Sequence, residues 1–141
     1  MPFVLDASVT MSWCFADEST PYTRHVLESL MLTHAEVPAL WTFEIANVAN
    51  VLAVNERRRR ITNVISDEFM QILAGLDIRV EPSLHPNDGK ALLLLVRSYG
   101  LTAYDAAYLQ LAKRKGLPLA TFDKDLIRAA PQEGVSIMRG L

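Results

Sequence analysis

Short apolar runs alternate with longer amphipathic stretches along the chain. Apolar residues that recur every three or four positions predict helices, and brief aliphatic runs between turn residues predict strands. The predicted strands cover residues 3–5, 36–38, 78–80, 117–120 and 135–137. The predicted helices begin at Pro21 and cover residues 41–56, 63–74, 86–99, 103–115 and 124–130. Predicted strands and predicted helices alternate along the whole sequence.

This alternation predicts an α/β fold, in which a mostly parallel sheet is covered by helices on both faces. The sequence shows no repeat, linker or low-complexity segment, and 141 residues suit a single domain over residues 1–141. Parallel sheets bind ligands beyond the carboxyl ends of their strands, at the point where the strand order reverses. The residues that directly follow the strands are therefore the first candidates for a functional site.

Composition excludes several classes of protein. Hydrophobic residues make up 50% and charged residues 21% of the chain, which excludes a disordered or fibrous protein. The longest apolar run, residues 91–96, is too short to span a membrane, and the start of the chain lacks the pattern of a secretion signal. A single cysteine, Cys14, excludes a disulfide framework. We therefore expect a cytoplasmic protein.

Acidic residues stand directly after two predicted strands and in the first turns of two predicted helices. Asp6 follows the first strand, Asp123 follows the fourth, and Glu44 and Asp105 lie near helix starts. Each could be a simple helix cap or could complement a helix dipole, and Thr102 with Asp105 fits a capping box. If the sheet order reverses between the first and fourth strands, however, Asp6 and Asp123 share one crevice. Converging carboxylates require a counter-charge, and oxygen ligands favour Mg²⁺ or Mn²⁺ over zinc.

Polar residues near these acids could orient the carboxylates by hydrogen bonding. Four side chains are candidates for this supporting role: Ser8, Asn47, Thr121 and Asp125. Ser8 and Thr121 could equally be ordinary helix caps.

Four segments that contain these acids resemble, in order, the motifs of the PIN domain. They are Val4–Val9, Glu44–Val48, Leu101–Tyr108 and Leu119–Leu126. The chain looks in particular like the VapC-type ribonuclease toxins of bacterial type II toxin–antitoxin pairs, over nearly its whole length. The resemblance implies a three-layer α/β/α fold with a parallel five-stranded sheet of order 3-2-1-4-5. It also implies RNA cleavage that depends on Mg²⁺ or Mn²⁺, a homodimer, and a small VapB-like antitoxin as partner.

Carried over residue by residue, the resemblance makes Asp6, Glu44, Asp105 and Asp123 the catalytic and metal-binding acids. Phosphodiester hydrolysis needs a nucleophile at neutral pH and relief of negative charge, and a divalent ion supplies both by acidifying water and neutralising phosphate oxygens. No serine, cysteine or histidine is placed for covalent attack, so water is the expected nucleophile.

A run of four arginines ends the predicted helix that contains Glu44: Arg57, Arg58, Arg59 and Arg60. It could be a solvated helix end whose charges complement the helix dipole. It could also contact RNA phosphates or an acidic segment of the antitoxin. At 1.5 Å per helical residue, the run lies about 20 Å from Glu44.

Three other functions stay open. A phosphatase of the haloacid dehalogenase type also places an aspartate after its first strand, but it needs a second acid where Ser8 stands. A receiver domain needs paired acids near the first strand end and a suitably placed lysine, and neither is clear. A PIN-like scaffold could bind RNA or protein without catalysis, although a scaffold has no reason to keep four acids that repel each other.

Overall fold

The computed structural model describes residues 1–82 and 86–139, in which four strands alternate with seven α-helices. The strands are β1 (Phe3–Leu5), β2 (Ala35–Val37), β3 (Ile78–Val80) and β4 (Leu119–Ala120). The helices are α1 (Ala7–Ser12), α2 (Pro21–Ser29), α3 (Leu40–Arg57), α4 (Asn63–Gly75), α5 (Asp88–Tyr99), α6 (Ala103–Lys115) and α7 (Lys124–Ala129). Two short 3₁₀ turns cover Ala16–Glu18 and Ala130–Glu133. The predicted α/β fold is confirmed, and α1 is an element that the hydrophobic pattern did not reveal.

All strand pairs in the sheet are parallel, and the order is β3-β2-β1-β4. The first four positions of the predicted order 3-2-1-4-5 are therefore correct. The fifth strand is not: residues 135–137 form only an isolated parallel bridge, between Ile137 and Leu119. Because β4 is two residues long, it offers too little backbone for a longer ladder on its outer side.

The core lies around β1 and the middle of α6. All three β1 residues are buried, and so are all seven residues 106–112 of α6, which leaves no solvent face on that part of the helix. Threonine side chains cap the amino ends of α2, α4 and α6, because Thr20, Thr62 and Thr102 each accept a backbone N–H. Gly116 ends α6 in the left-handed conformation that favours glycine, as the sequence predicted. These caps fix where the acid-bearing helix α6 begins and ends.

Large apolar side chains remain exposed on α4 and after α2. On α4 the exposed set is Val64, Ile65, Met70 and Ile72. Met31, just after α2, is 75% exposed, while Leu30 beside it belongs to the core. Within the described ranges, no helix combines the length and apolar character needed to cross a membrane.

Candidate active site

The sheet order brings the carboxyl ends of β1 and β4 side by side. Leu5 pairs with Ala120, and the backbone N–H of Asp6 donates to the Ala120 carbonyl at 3.0 Å. The chain runs from β1 to β2 and β3 on one side and returns to β4 on the other, so the strand order reverses between these two strands. The crevice predicted for Asp6 and Asp123 therefore lies at the reversal point, where parallel sheets bind ligands.

Asp6 is the most buried carboxylate of the site, with 4% of its surface exposed. It occupies the N-cap position of α1 without making a capping hydrogen bond. Instead, the hydroxyls of Ser8 and Thr121 both donate to its Oδ2 at 2.7 Å. Burial raises the pKa of Asp6 and the charge of Asp123 adds to this, while the hydroxyl bonds only partly oppose it. The two hydroxyls thus fix one oxygen and leave Oδ1 outside both bonds.

Glu44 lies half-buried on α3, and its carboxylate accepts a hydrogen bond from helix α6. The hydroxyl of Tyr108, which is fully buried on α6, donates to its Oε1 at 2.8 Å. Burial raises the pKa of Glu44, the Tyr108 bond lowers it, and the charges of Asp6 and Asp105 raise it again. The pKa of the Tyr108 hydroxyl is also raised, by burial and then by the charge of Glu44, so it stays a donor.

Asp105 is the third residue of α6, and its backbone N–H donates to the Thr102 side chain at 3.1 Å. The predicted cap of α6 is therefore present, and Asp105 is also part of an electrostatic group. Burial raises the pKa of Asp105 most, and the charges of Asp123 and Asp6 raise it further. Asp105 therefore belongs both to the cap of α6 and to the group of interacting acids.

Asp123 caps α7, as the simplest interpretation of the sequence proposed. Its Oδ1 accepts the backbone N–H groups of Asp125 and Leu126, each at 3.0 Å. Its own N–H donates to the Thr121 hydroxyl at 3.0 Å, so Thr121 joins Asp123 to Asp6. The cap is therefore present, and the charge of Asp123 also acts on Asp6 and Asp105.

The other two supporting candidates differ from Ser8 and Thr121. Asn47 is exposed on α3, and among the described residues it makes no hydrogen bond to any of the four acids. The carboxylate of Asp125 is exposed and pairs with Arg128 at 3.2 Å, so only its backbone N–H supports the site. The structure thus connects Ser8 and Thr121 to the acids through their side chains and does not connect Asn47.

No described lysine, arginine or histidine forms an ion pair with any of the four carboxylates. The acids influence one another's pKa, yet in the described part of the chain no three acidic, histidine or cysteine side chains could hold one metal ion together. The donor set still fits a hard cation, since it consists only of carboxylate oxygens around uncompensated negative charge. Mg²⁺ commonly binds through one or two carboxylates and keeps several waters, so a closed cage is not required.

The arginine run lies at the end of α3 and the turn beyond it. Arg60 pairs with Asp17 at 2.7 Å and its guanidinium lies 4.7 Å from the centre of the Phe15 ring, which removes it from the acids. Arg59 has a φ of 59°, the left-handed conformation usually taken by glycine at this position of a helix end. Arg57 and Arg58 are exposed. Arg60 is therefore held by Asp17 and Phe15, whereas the other three arginines of the run are exposed to solvent.

A cavity of about 1110 Å³ borders the site on its β4 side. Ser8 and Thr121, the two hydroxyl partners of Asp6, line it together with apolar residues that include Met11, Phe122 and Ile127. Sequence reasoning missed Phe122 and Tyr108 as parts of the site. Tyr108 could have been found, because it lies three residues after Asp105 and so shares a face of α6 with it.

Two solved structures share this fold. PAE2754 from Pyrobaculum aerophilum aligns with a TM-score of 0.60 at 22% identity, covering 92% of this chain and 87% of that chain. FitAcB from Neisseria gonorrhoeae aligns with a TM-score of 0.61 at 19% identity, covering 99% of this chain and 97% of that chain. The chain matches no curated protein significantly. The model of the PIN domain family matches residues 3–131, which contain all four acids, and the chain therefore belongs to the PIN domain family.

Proposed function

We propose that this protein is a divalent-metal-dependent endoribonuclease and the toxin of a type II toxin–antitoxin pair of the VapC type. PIN domains are generally nucleases, which supports the reaction class. The observation that carries the proposal is the group of four acids, Asp6, Glu44, Asp105 and Asp123, three of which have raised pKa values and none of which has a described cationic partner. The proposal includes a single PIN domain over residues 1–141, action in the cytoplasm and assembly as a homodimer.

Asp6, Glu44, Asp105 and Asp123 would hold Mg²⁺ or Mn²⁺, either directly or through water. The bound ion supplies two things: it acidifies water for attack on phosphorus, and it neutralises charge on the phosphate oxygens. The protein's own residues position the ligands. Ser8 and Thr121 fix Asp6, and Tyr108 fixes Glu44, so two of the four carboxylates are oriented before any substrate arrives.

The alternatives find less support in the contacts. A phosphatase of the haloacid dehalogenase type would need an acid where Ser8 donates its hydroxyl to Asp6. A scaffold without catalysis would gain nothing from burying Asp6 among like charges, because each such charge raises the cost of keeping the others ionised. Hydrolysis of RNA by water is the reaction that this arrangement serves best.

The partners follow from the same proposal. A small VapB-like antitoxin would silence the enzyme, and Arg57, Arg58 and Arg59 are exposed cations that would contact it or contact RNA phosphates. The exposed apolar residues of α4, with Met31, are the candidate surface for a homodimer. Sedimentation at micromolar concentration tests assembly, and a monomer at all concentrations would contradict it.

The test of the reaction class uses the purified protein, a single-stranded RNA and a small phosphate monoester, each with Mg²⁺, with Mn²⁺ and with a chelator. We expect RNA fragments only with metal, and no release of phosphate from the monoester. Asp105→Asn should abolish cleavage, whereas Asp77→Asn, the same chemical change at an exposed residue paired with Arg79, should leave it unchanged. Cleavage by Asp105→Asn at the normal rate, or phosphate release alone, would contradict the proposal.

A further inference from the structure

Exposed aromatic side chains occur only beside the acids. The chain has eleven aromatic residues, five Phe, four Tyr and two Trp, and all of them lie in the described ranges. Eight are buried or half-buried. The three that are exposed are Phe43 at 77%, Tyr104 at 70% and Phe122 at 46%. Each directly precedes one of the four acids in the sequence: Glu44, Asp105 and Asp123.

The three exposed rings lie in three separate segments of the fold. Phe43 lies on α3, Tyr104 lies in the first turn of α6, and Phe122 lies in the connection between β4 and α7. Adjacent Cα atoms are about 3.8 Å apart, so each ring is attached within one residue of a carboxylate. Three exposed rings from distant parts of the chain are therefore attached beside acids whose charges act on one another.

The charge of the site explains why rings are useful there. Four carboxylates repel the phosphate backbone, and the described cations form no ion pairs with them. Without a bound cation, attraction to a nucleic acid at this point must therefore come from uncharged contacts. Aromatic rings provide such contacts by stacking on bases, and they do so without regard to sequence.

We propose that Phe43, Tyr104 and Phe122 are stacking platforms for unpaired bases on either side of the scissile phosphate. The inference rests on the proposed ribonuclease function. Phe122 also forms part of the wall of the 1110 Å³ cavity beside Ser8 and Thr121, which gives one base an apolar space next to Asp6. Bases in an A-form duplex stay stacked on each other and cannot reach the rings, so duplex RNA should be a poor ligand.

Binding to the intact protein in chelator tests this directly, since it does not depend on cleavage. The probe is a single-stranded RNA that carries 2-aminopurine, whose fluorescence falls when it stacks, and the same strand in a duplex serves as a comparison. The variants are Phe43→Leu, Tyr104→Leu and Phe122→Leu, which keep an apolar side chain but remove the ring. Matched controls are Phe43→Tyr, Tyr104→Phe and Phe122→Tyr, which keep the ring, and Leu32→Ala, which removes exposed apolar surface just before β2, at the amino edge of the sheet.

We expect each leucine variant to bind the single strand about tenfold more weakly and to lose part of the fluorescence quenching. The ring-retaining controls and Leu32→Ala should bind as the unaltered protein does, and thermal unfolding should be unchanged in all of them. Normal RNA binding and cleavage by all three leucine variants would overturn the inference and leave the ribonuclease proposal standing. The same holds if those variants lose only binding of a protein partner. An unaltered protein that neither binds nor cleaves RNA would overturn both.

Discussion

Two acid clusters in this protein differ in the presence of cations and in the burial of their carboxylates. In the first, Glu36 and Glu81 share the Lys115 ammonium at 3.2 and 3.0 Å, with Arg114 and His34 nearby. Partial burial raises the pKa of Glu36, but the hydrogen bonds from Lys115 and its other partners outweigh this and lower it overall. We call this group the paired cluster.

In the second cluster, the four acids of the candidate site, burial and like charge raise the pKa of Asp6, Glu44 and Asp105. α6 contributes to both clusters, since Asp105 lies near its start and Lys115 at its end. The same helix thus neutralises acids at one end and adds to the excess negative charge at the other. The contrast fits the proposed function, in which a bound divalent cation would supply the counter-charge that the second cluster lacks among the described residues.

The largest expected difference is in RNA cleavage. Asp6→Asn should lower the cleavage rate by about 10³-fold, because it removes the central charge while its amide oxygen still accepts the Ser8 and Thr121 hydroxyls. Glu36→Gln removes one charge from the paired cluster and should leave the rate unchanged. Initial rates with a labelled RNA measure both. A similar loss in the two variants would mean that the clusters do not differ in function.

A smaller loss is expected when only the support of Asp6 is removed. Thr121→Val keeps the side-chain shape but deletes the hydroxyl that donates to Asp6 and accepts the Asp123 N–H, so cleavage should fall about 10- to 100-fold. Thr62→Val is the control, because Thr62 only caps α4 and its loss should cost about 1 kcal/mol of stability without affecting the rate. Equal rates for Thr121→Val and the unaltered protein would remove Thr121 from the site.

In the absence of metal, the two clusters should contribute to the free energy of unfolding with opposite dependence on pH. Because the folded pKa of Asp6 is raised, the folded state binds its proton more tightly, and the contribution of Asp6 to the free energy of unfolding falls as pH rises through the interval between the two pKa values. Glu36 behaves oppositely: its lowered pKa adds stability above the unfolded value, and this is lost as pH falls through the folded value. In chelator at neutral pH, Asp6→Asn should raise the Tm and Glu36→Gln should lower it, each by about 2–4 °C. Both differences should shrink on acidification, and shifts of the same sign would contradict the account.

Local signals in the sequence predict much of this arrangement. Thr102 and Gly116 set the limits of α6, and the alternation of elements predicts the parallel sheet. The order of the first four strands was implied by the resemblance to the PIN domain. Asp123 shows the limit of local reasoning: its sequence context fits a cap, and its charge coupling to Asp6 follows only once the order of the strands is known.

Two hydrogen bonds between distant segments could not be predicted. The Tyr108–Glu44 hydrogen bond joins residues 64 positions apart, and the Thr121–Asp6 bond joins residues 115 apart, so no periodicity or spacing encodes them. The predicted fifth strand was wrong for the same reason. The length of a strand at this edge depends on how many backbone groups of β4 can pair with it, and β4 lies far from it in the sequence. α1 was missed because it is only six residues long, too short for a clear helical period.

Binding of a divalent cation tests the central claim most directly. Thermal unfolding is followed during a titration with Mn²⁺ or Mg²⁺, for the unaltered protein, Asp105→Asn and Glu81→Gln. A ligand that binds only the folded state stabilises it by about 2.7 kcal/mol at one hundred times its Kd, so the unaltered protein and Glu81→Gln should show the same rise in Tm. Asp105→Asn should show little or none. An equal rise in Asp105→Asn, or no rise in the unaltered protein at millimolar metal, would contradict the assignment of the unpaired acids as a cation site.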